Sequence, residues 1–261
     1  MLLVESSLNL GFTKGNNLGL KYASGKTILL LNSDTGLLNN SIALAYRRLL
    51  ASEKVRALTG KVITPAGKVQ HVSQRFPSIT LVLLQVLRHF HLMSASRRSN
   101  VFLGEYFKYD EEANPDWIWA TFFLIRREAV AAFQGGKFPE EFFMYEEDKL
   151  WGYYLQQNGY KLLYTPLPLV LHHVSGSSPH REDEIATNKI ILQNEFQVIV
   201  LTKGIWYARV YFLLKALQYF TSGYTHAKPL ARLYWRVMRN FSVSERAPKH
   251  LDSLPEKQQP A

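Results

Sequence analysis

Cysteine is absent from the 261 residues, which excludes disulfides, zinc–thiolate sites and thiol nucleophiles and fits a reducing compartment. Long apolar runs are absent too. The nearest, residues 205–220, is interrupted by Arg209 and Lys215, so no membrane span is expected. The first residues, Met1-Leu2-Leu3-Val4-Glu5, carry neither a basic n-region nor a long apolar h-region, and no signal peptide is expected. There is no internal repeat. Acidic residues are scarce in one stretch: between Val200 and His250 nine Lys/Arg face Glu245 alone, so the net charge of +10 belongs mostly to the C-terminal region. Such a segment suits nucleic acid, anionic lipid or water. Its cations are spread along aromatic helices with no compact recognition motif, so nucleic acid is not the expected partner.

What is present is a globular composition, 47% hydrophobic and 13% aromatic, which excludes wholesale disorder and supplies a full core for one domain with or without an appendage. Two acidic clusters end apolar runs. Asn32-Ser33-Asp34 follows Thr27-Ile28-Leu29-Leu30-Leu31, and Glu146-Glu147-Asp148 follows Phe142-Phe143-Met144-Tyr145. Carboxylates at the carboxyl ends of short buried segments point into the crevice where α/β proteins bind ligands. A hard-cation site paired with a second acidic site is what transfer of a group from a phosphate-bearing donor requires. The second cluster has two readings. Adjacent acids repel, which raises the pKa of one of them towards a range useful for a base; acids also simply favour the start of a helix.

The pattern predicts helix over residues 14–24 ending at Gly25, strand over 27–31, helix from Asn40 or Ser41 to about Ser52 with Ile42, Leu44, Ala45, Leu49 and Leu50 inward, and strand over 55–63 before the turn Pro65-Ala66-Gly67-Lys68. Residues 79–92 read as a helix, either a packing helix or an acceptor-side or membrane-touching one. Strand is expected over 117–125, helix over 149–157 closed by Asn158-Gly159, and strand over 161–164, with Val170-Leu171 leading to His172-His173. Short strand–helix–strand links argue for an α/β layered fold. Helices over 183–203, 205–221 and 229–241 follow. Their mixture of aromatic and basic residues suits a membrane interface or an ordinary helical appendage with a solvated basic face. The expected organisation is a core over 1–180, a helical segment over 181–241 and a disordered tail over 242–261.

Several ordered segments carry a resemblance. They are Asn9-Leu10-Gly11-Phe12 with Asn16-Asn17-Leu18-Gly19 and Ala23-Ser24-Gly25; Leu29-Leu30-Leu31-Asn32-Ser33-Asp34-Thr35; and Gly67-Lys68-Val69-Gln70 with Arg75-Phe76-Pro77-Ser78. Further on stand Trp119-Ala120-Thr121-Phe122-Phe123-Leu124-Ile125-Arg126-Arg127, then Phe138-Pro139-Glu140-Glu141-Phe142-Phe143-Met144-Tyr145-Glu146-Glu147-Asp148, and finally His172 with Ser177-Ser178. In this order they resemble a family-2 glycosyltransferase of the GT-A fold, in its rhamnosyltransferase-like branch. Two departures are visible. Lys149-Leu150-Trp151 follows the Glu-Asp pair where the family has x-D-L, and Tyr154 stands where it has arginine. The family's first two strands, which hold the nucleotide base, lie ahead of the segment that opens here at residue 9, so the resemblance implies an N-terminally incomplete GT-A mixed sheet flanked by helices.

The resemblance also implies roles. The donor would be a nucleotide-diphosphate sugar, with rhamnose as the branch's sugar, and the acceptor a glycan or lipid-linked glycan in surface polysaccharide synthesis. A divalent cation, Mg or Mn, would be held by Asp34 and by His172 or its neighbour His173. Asn17, Asn32 and Asp34 would contact the donor. Asp148 would be the general base with Glu147 setting its field, and Trp119, Thr121 and Glu146 would face the acceptor. The place implied is cytoplasmic, peripheral at the inner face of the cell membrane. A chain of this kind that binds without catalysing is the alternative.

Overall fold

A computed structural model describes residues 2–173, 181–222 and 227–241, with the side chains of 181–186 left aside. In chain order the principal elements are α1 (Gly11–Leu20), β1 (Thr27–Leu31), β2 (Thr35–Leu37), α2 (Ser41–Leu50), β3 (Val55–Ile63), β4 (Ser73–Gln74), α3 (Ile79–Val86) and α4 (Ala95–Phe102). They continue with β5 (Trp117–Ile118), β6 (Phe122–Arg126), α5 (Arg127–Ala131), α6 (Glu147–Gln157), β7 (Lys161–His172), α7 (Arg181–Lys203), α8 (Ile205–Phe220) and α9 (Ala227–Asn240). They form two compact units, one from the residues up to Phe76 together with Ala95 through β7, the other from Pro77–Ser94 and α7 to α9.

The first unit is built on a five-stranded sheet in the order β1-β6-β3-β7-β2. Only β3 and β7 run parallel; β1–β6, β3–β6 and β2–β7 are antiparallel. Successive residues of β6 alternate between two cores, as the period of a strand requires. Phe123 and Ile125 join Ile28, Leu30, Phe138 and Trp151, while Phe122 and Leu124 join Leu49, Leu58, Tyr109 and Tyr164. The sheet is therefore covered on both faces.

Several boundaries differ from the sequence pattern. Helix α1 begins at Gly11, where Phe12 N–H donates to Phe143 O at 2.9 Å, and it ends at Leu20 instead of Ser24, in a turn where Ala23 N–H returns to Gly19 O. Gly11 has φ +74°, and a Cβ there would stand 2.2 Å from Phe143 O, so only glycine fits. In α2, Ala45 and Leu49 are buried, but Ile42 and Leu50 are exposed, so the inward face is narrower than expected. The strand expected over 117–125 is split: Trp119 N–H pairs with Val72 O on the β4 side, and Thr121 O accepts from Asn32 on the β1 side. Strand β7 continues past Tyr164 to His172. Pro166 and Pro168 cannot donate to a ladder, and the β3–β7 register shifts between Thr59 and Lys61 to pass them.

The second unit has its own core of Val82, Leu192, Phe196, Ile199, Phe212 and Tyr234. Residues 77–94 belong to it and not to the sheet unit, which differs from the expected division at residue 180. Ile79 N–H donates to Tyr207 Oη at 3.0 Å, Lys203 Nζ donates to Pro77 O at 2.8 Å, and Gln218 Nε2 donates to Gln85 Oε1 at 3.2 Å. The helix expected over 79–92 stops at Val86, because Arg88 takes a left-handed conformation and residues 89–92 form a 3-10 turn. The tail over 242–261 lies outside the described residues.

Candidate functional site

The turn after β1 is closed by its own polar groups. Thr35 N–H and Oγ1 both donate to Asn32 O, at 3.3 and 2.6 Å, which leaves Asp34 at the tip and starts β2. Strand β2 then pairs with β7 so that Thr35 faces His172, and His173 N–H donates to Asp34 O at 2.9 Å. Asp34 Oδ1 thereby comes 3.3 Å from His172 Nε2, while His172 Nδ1 lies 2.8 Å from Gln70 Oε1. In the tautomer in which Nδ1 donates to the Gln70 oxygen, the Nε2 lone pair faces the Asp34 carboxylate. Two acceptor atoms at this separation suit one cation, whose ligands at ~2.1 Å stand about 3 Å from each other. The residues present therefore fit a divalent ion. No group of three or more His, Cys, Asp or Glu side chains that could hold a metal ion gathers among the described residues.

The second cluster is set by backbone strain and burial. Tyr145 and Glu146 both have positive φ, 71° and 72°, immediately before α6 begins at Glu147. Adjacent non-glycine residues in this region cost of order 1–3 kcal/mol each and persist only where surroundings enforce them. Here Glu146 is paired with Lys149, itself buried with its ammonium 5.0 Å from the Trp117 ring. Close packing of α6 on β5 adds to the constraint: a Cβ on Gly152 would stand 2.7 Å from Trp117 Cβ.

Glu147 is only 5% exposed, and its Oε2 has no hydrogen-bond partner among the described residues. Burial, then the neighbouring charges of Asp148 and Glu146, push its carboxyl up to about 8. Asp148 is half-buried, and burial pushes it up to about 6 against the opposing pull of Lys149 and of backbone N–H donors. Those donors are Ala120 N–H to Oδ2 at 3.3 Å and Lys149 N–H to Oδ1 at 2.9 Å. Burial thus raises both adjacent carboxyls, Glu147 the further, so that Asp148 ionises before its neighbour.

One short segment joins the two clusters. Ala120 N–H reaches Asp148, and the next residue's carbonyl, Thr121 O, accepts from Asn32 N–H at 3.1 Å. The break between β5 and β6 thus fastens the Asp34 turn and the start of α6 to adjacent peptide groups. The fold is that of the GT-A glycosyltransferases.

GalNAc-T7, in a crystal structure with UDP, GalNAc and Mn2+, aligns with 92% of this chain at TM-score 0.51 and 14% identity, and the chain spans 45% of that protein's length. The mannosyltransferase PcManGT from Pyrobaculum calidifontis, in complex with GDP-Man and Mn2+, aligns with 91% of this chain and 67% of its own at TM-score 0.47 and 12% identity. No family model and no curated protein matches the chain.

Within this GT-A frame, the β2–β7 pairing brings Asp34 to His172, while Asn32 and Asp148, the chain neighbour of Glu147, are bonded to the adjacent peptides of Thr121 and Ala120. His173 contributes its backbone, not its ring, to Asp34. Asn17 does not join them. Its Nδ2 donates to Phe138 O at 2.8 Å and to Glu140 Oε1 at 2.9 Å, and its Oδ1 accepts from Phe138 N–H, so the amide clamps α1 to the 138–140 loop and is not free for a donor. Thr121 is buried and acts through its carbonyl, Trp119 packs half-buried against the second core, and Glu146 is held by Lys149. Tyr154, at the arginine position of the resemblance, packs against the first core. Ser177 and Ser178 lie outside the described residues. Gln70, which lies 2.8 Å from His172 Nδ1, stands in the Gly67-Lys68-Val69-Gln70 segment of the resemblance, but that segment carried no role for it. Lys149 was visible only as a departure from the resemblance, with no partner to read from the sequence, and the Ala120 N–H, being backbone, left no signal.

Proposed function

We propose that the chain is the catalytic part of an inverting glycosyltransferase that moves a sugar from a nucleotide-diphosphate donor to a hydroxyl of a glycan or lipid-linked acceptor. The observation that carries this reading is the pair of backbone hydrogen bonds from residues 120 and 121 that hold a cation-competent Asp34–His172 pair and an acid–base pair on one loop. A divalent ion, Mg or Mn, held by Asp34 and His172 Nε2 would supply Lewis-acid stabilisation of charge on the donor diphosphate.

The chain's own residues do the rest. Gln70 keeps the proton on His172 Nδ1. Asp148, ionised above about pH 6, accepts the acceptor hydroxyl proton as that oxygen attacks the anomeric carbon. Its two oxygens are oriented by Ala120 N–H and Lys149 N–H. Glu147, protonated up to about pH 8, spares Asp148 a second negative neighbour. A single displacement inverts the anomeric centre. Rhamnose from a thymidine-diphosphate donor is the substrate that the rhamnosyltransferase-like motifs support, and a peripheral position at the cytoplasmic membrane face is the setting in which a lipid-linked acceptor would be met.

Calorimetric titration with nucleotide-diphosphate sugars, with and without Mn or Mg, tests the donor half. The expected result is ion-supported donor binding that falls at least about ten-fold in Asp34→Asn, which removes an anionic ligand and keeps its size. Donor affinity unchanged by the ion or by Asp34→Asn would remove the cation site from the proposal.

A further inference from the structure

The second unit carries exposed apolar and cationic side chains to which the proposed transfer assigns no role. Residues 77–94 and 205–241 contain no Asp or Glu and seven Lys/Arg. Along α8, Trp206, Val210, Leu213, Leu217 and Phe220 are all exposed, Trp206 by 73% and Phe220 by 66%. Their spacing of three and four places them on one stripe, across the helix from Ala208, Phe212 and Ala216, which enter the core. Helix α9 buries Ala231, Tyr234 and Val237 and exposes Lys228, Arg232, Trp235, Arg236 and Arg239, a second stripe that is cationic with one indole. Helix α3, tied to α8 by the Gln218–Gln85 hydrogen bond, adds exposed Leu83 and Leu87. An exposed Trp–Leu–Phe stripe on one helix, with a basic stripe on the helix packed against it, has the composition of a membrane-interface element, and no helix among the described residues is long and apolar enough to cross a membrane.

We propose that the α8 stripe seats this unit on an anionic lipid surface, with the α9 cations meeting the headgroups. This rests on the peripheral placement proposed above and names the face responsible for it. Charge decides the occupant. A second copy of the chain would bring one acid-free basic surface against another, which like charges oppose. A nucleic acid would satisfy the cations but leave the α8 stripe in water. An anionic bilayer satisfies both, with apolar side chains below the headgroups and cations at their level.

The test is co-sedimentation of the full chain with vesicles of phosphatidylcholine alone and of phosphatidylcholine with an equal part of phosphatidylglycerol, at low and at high salt. Binding is expected to the mixed vesicles and to weaken with salt. Replacing Arg232 and Arg236 by Gln should weaken it about five-fold per charge, and the pair Leu213→Ser and Leu217→Ser should weaken binding at both salt concentrations. Both variants alter exposed side chains, and circular dichroism checks that they fold.

Recovery of the wild type in the supernatant under all four conditions would overturn the proposal, as would unchanged binding by both variants. Self-association abolished by the leucine variants, with no vesicle binding, would give the face to a second copy and overturn it equally. Donor titration on the same preparations keeps the readings apart: vesicle binding without donor binding strikes the transferase reading alone, and donor binding without vesicle binding strikes this one alone.

Discussion

At the scale of single residues, the site is defined by which polar atoms are already engaged. Asn17 sits in a stretch that resembles a donor-binding segment, yet its amide is consumed by Phe138 and Glu140. Asn17→Ala should therefore lower stability by about 1–3 kcal/mol, the cost of leaving buried backbone partners unpaired, with little change in donor affinity; denaturant melts and calorimetry check the two halves. Glu147 behaves oppositely, as a buried acid whose ionisation the fold resists. Its carboxyl is raised from 4.5 to about 8, so the stability it contributes is complete below its unfolded value and is lost as pH rises through about 8. Glu147→Gln cannot ionise, and its melting temperature should fall less than the wild type's between about pH 5 and about pH 9. A difference between the two proteins that does not change with pH would contradict the assignment. The acidic cluster was legible in the sequence as a place of raised pKa. Which member is buried was not, because that depends on how α6 packs on β5 and on the left-handed turn at Tyr145 and Glu146.

At the scale of elements, local pattern and tertiary demand part company at identifiable places. Strands β1 and β3 and helix α6 follow their apolar periodicity and their turn residues closely, because each has a continuous inward face and a clear stop. Strand β7 does not, since its prolines read as a break and only pairing with β3 carries the strand through them. The β5–β6 region reads as one strand, and the break that joins both acidic clusters is a matter of partners on β4 and β1 that no local pattern records. Helix α6 depends on close approach: Gly152→Ala would place a methyl 2.7 Å from Trp117 Cβ and 2.8 Å from Asp116 O. The expected cost is about 1–3 kcal/mol, with transfer falling as well because Asp148 shares the helix; thermal melts and turnover at matched folded fraction separate the two effects.

At the scale of the whole molecule, the chain is two units with separate cores. The change to aromatic and basic residues suggested a separate C-terminal helical segment. The assignment of residues 77–94 to the helical unit was not legible, because its partners Lys203, Tyr207 and Gln218 lie more than a hundred residues on. The sheet unit has the GT-A architecture, and its 119–121 segment fixes the Asp34 turn and Asp148 to neighbouring peptides. The central claim is that these two clusters form one transfer site with Asp148 as its base. The most direct measurement is the pH dependence of sugar transfer by the wild type and by Asp148→Asn, with donor affinity measured alongside. Wild-type activity is expected to rise with pH through an apparent value of about 6, and the variant to lose ~10²–10⁴ in rate with donor affinity retained. Normal transfer by Asp148→Asn, above all if Glu147→Gln were inactive, would contradict it.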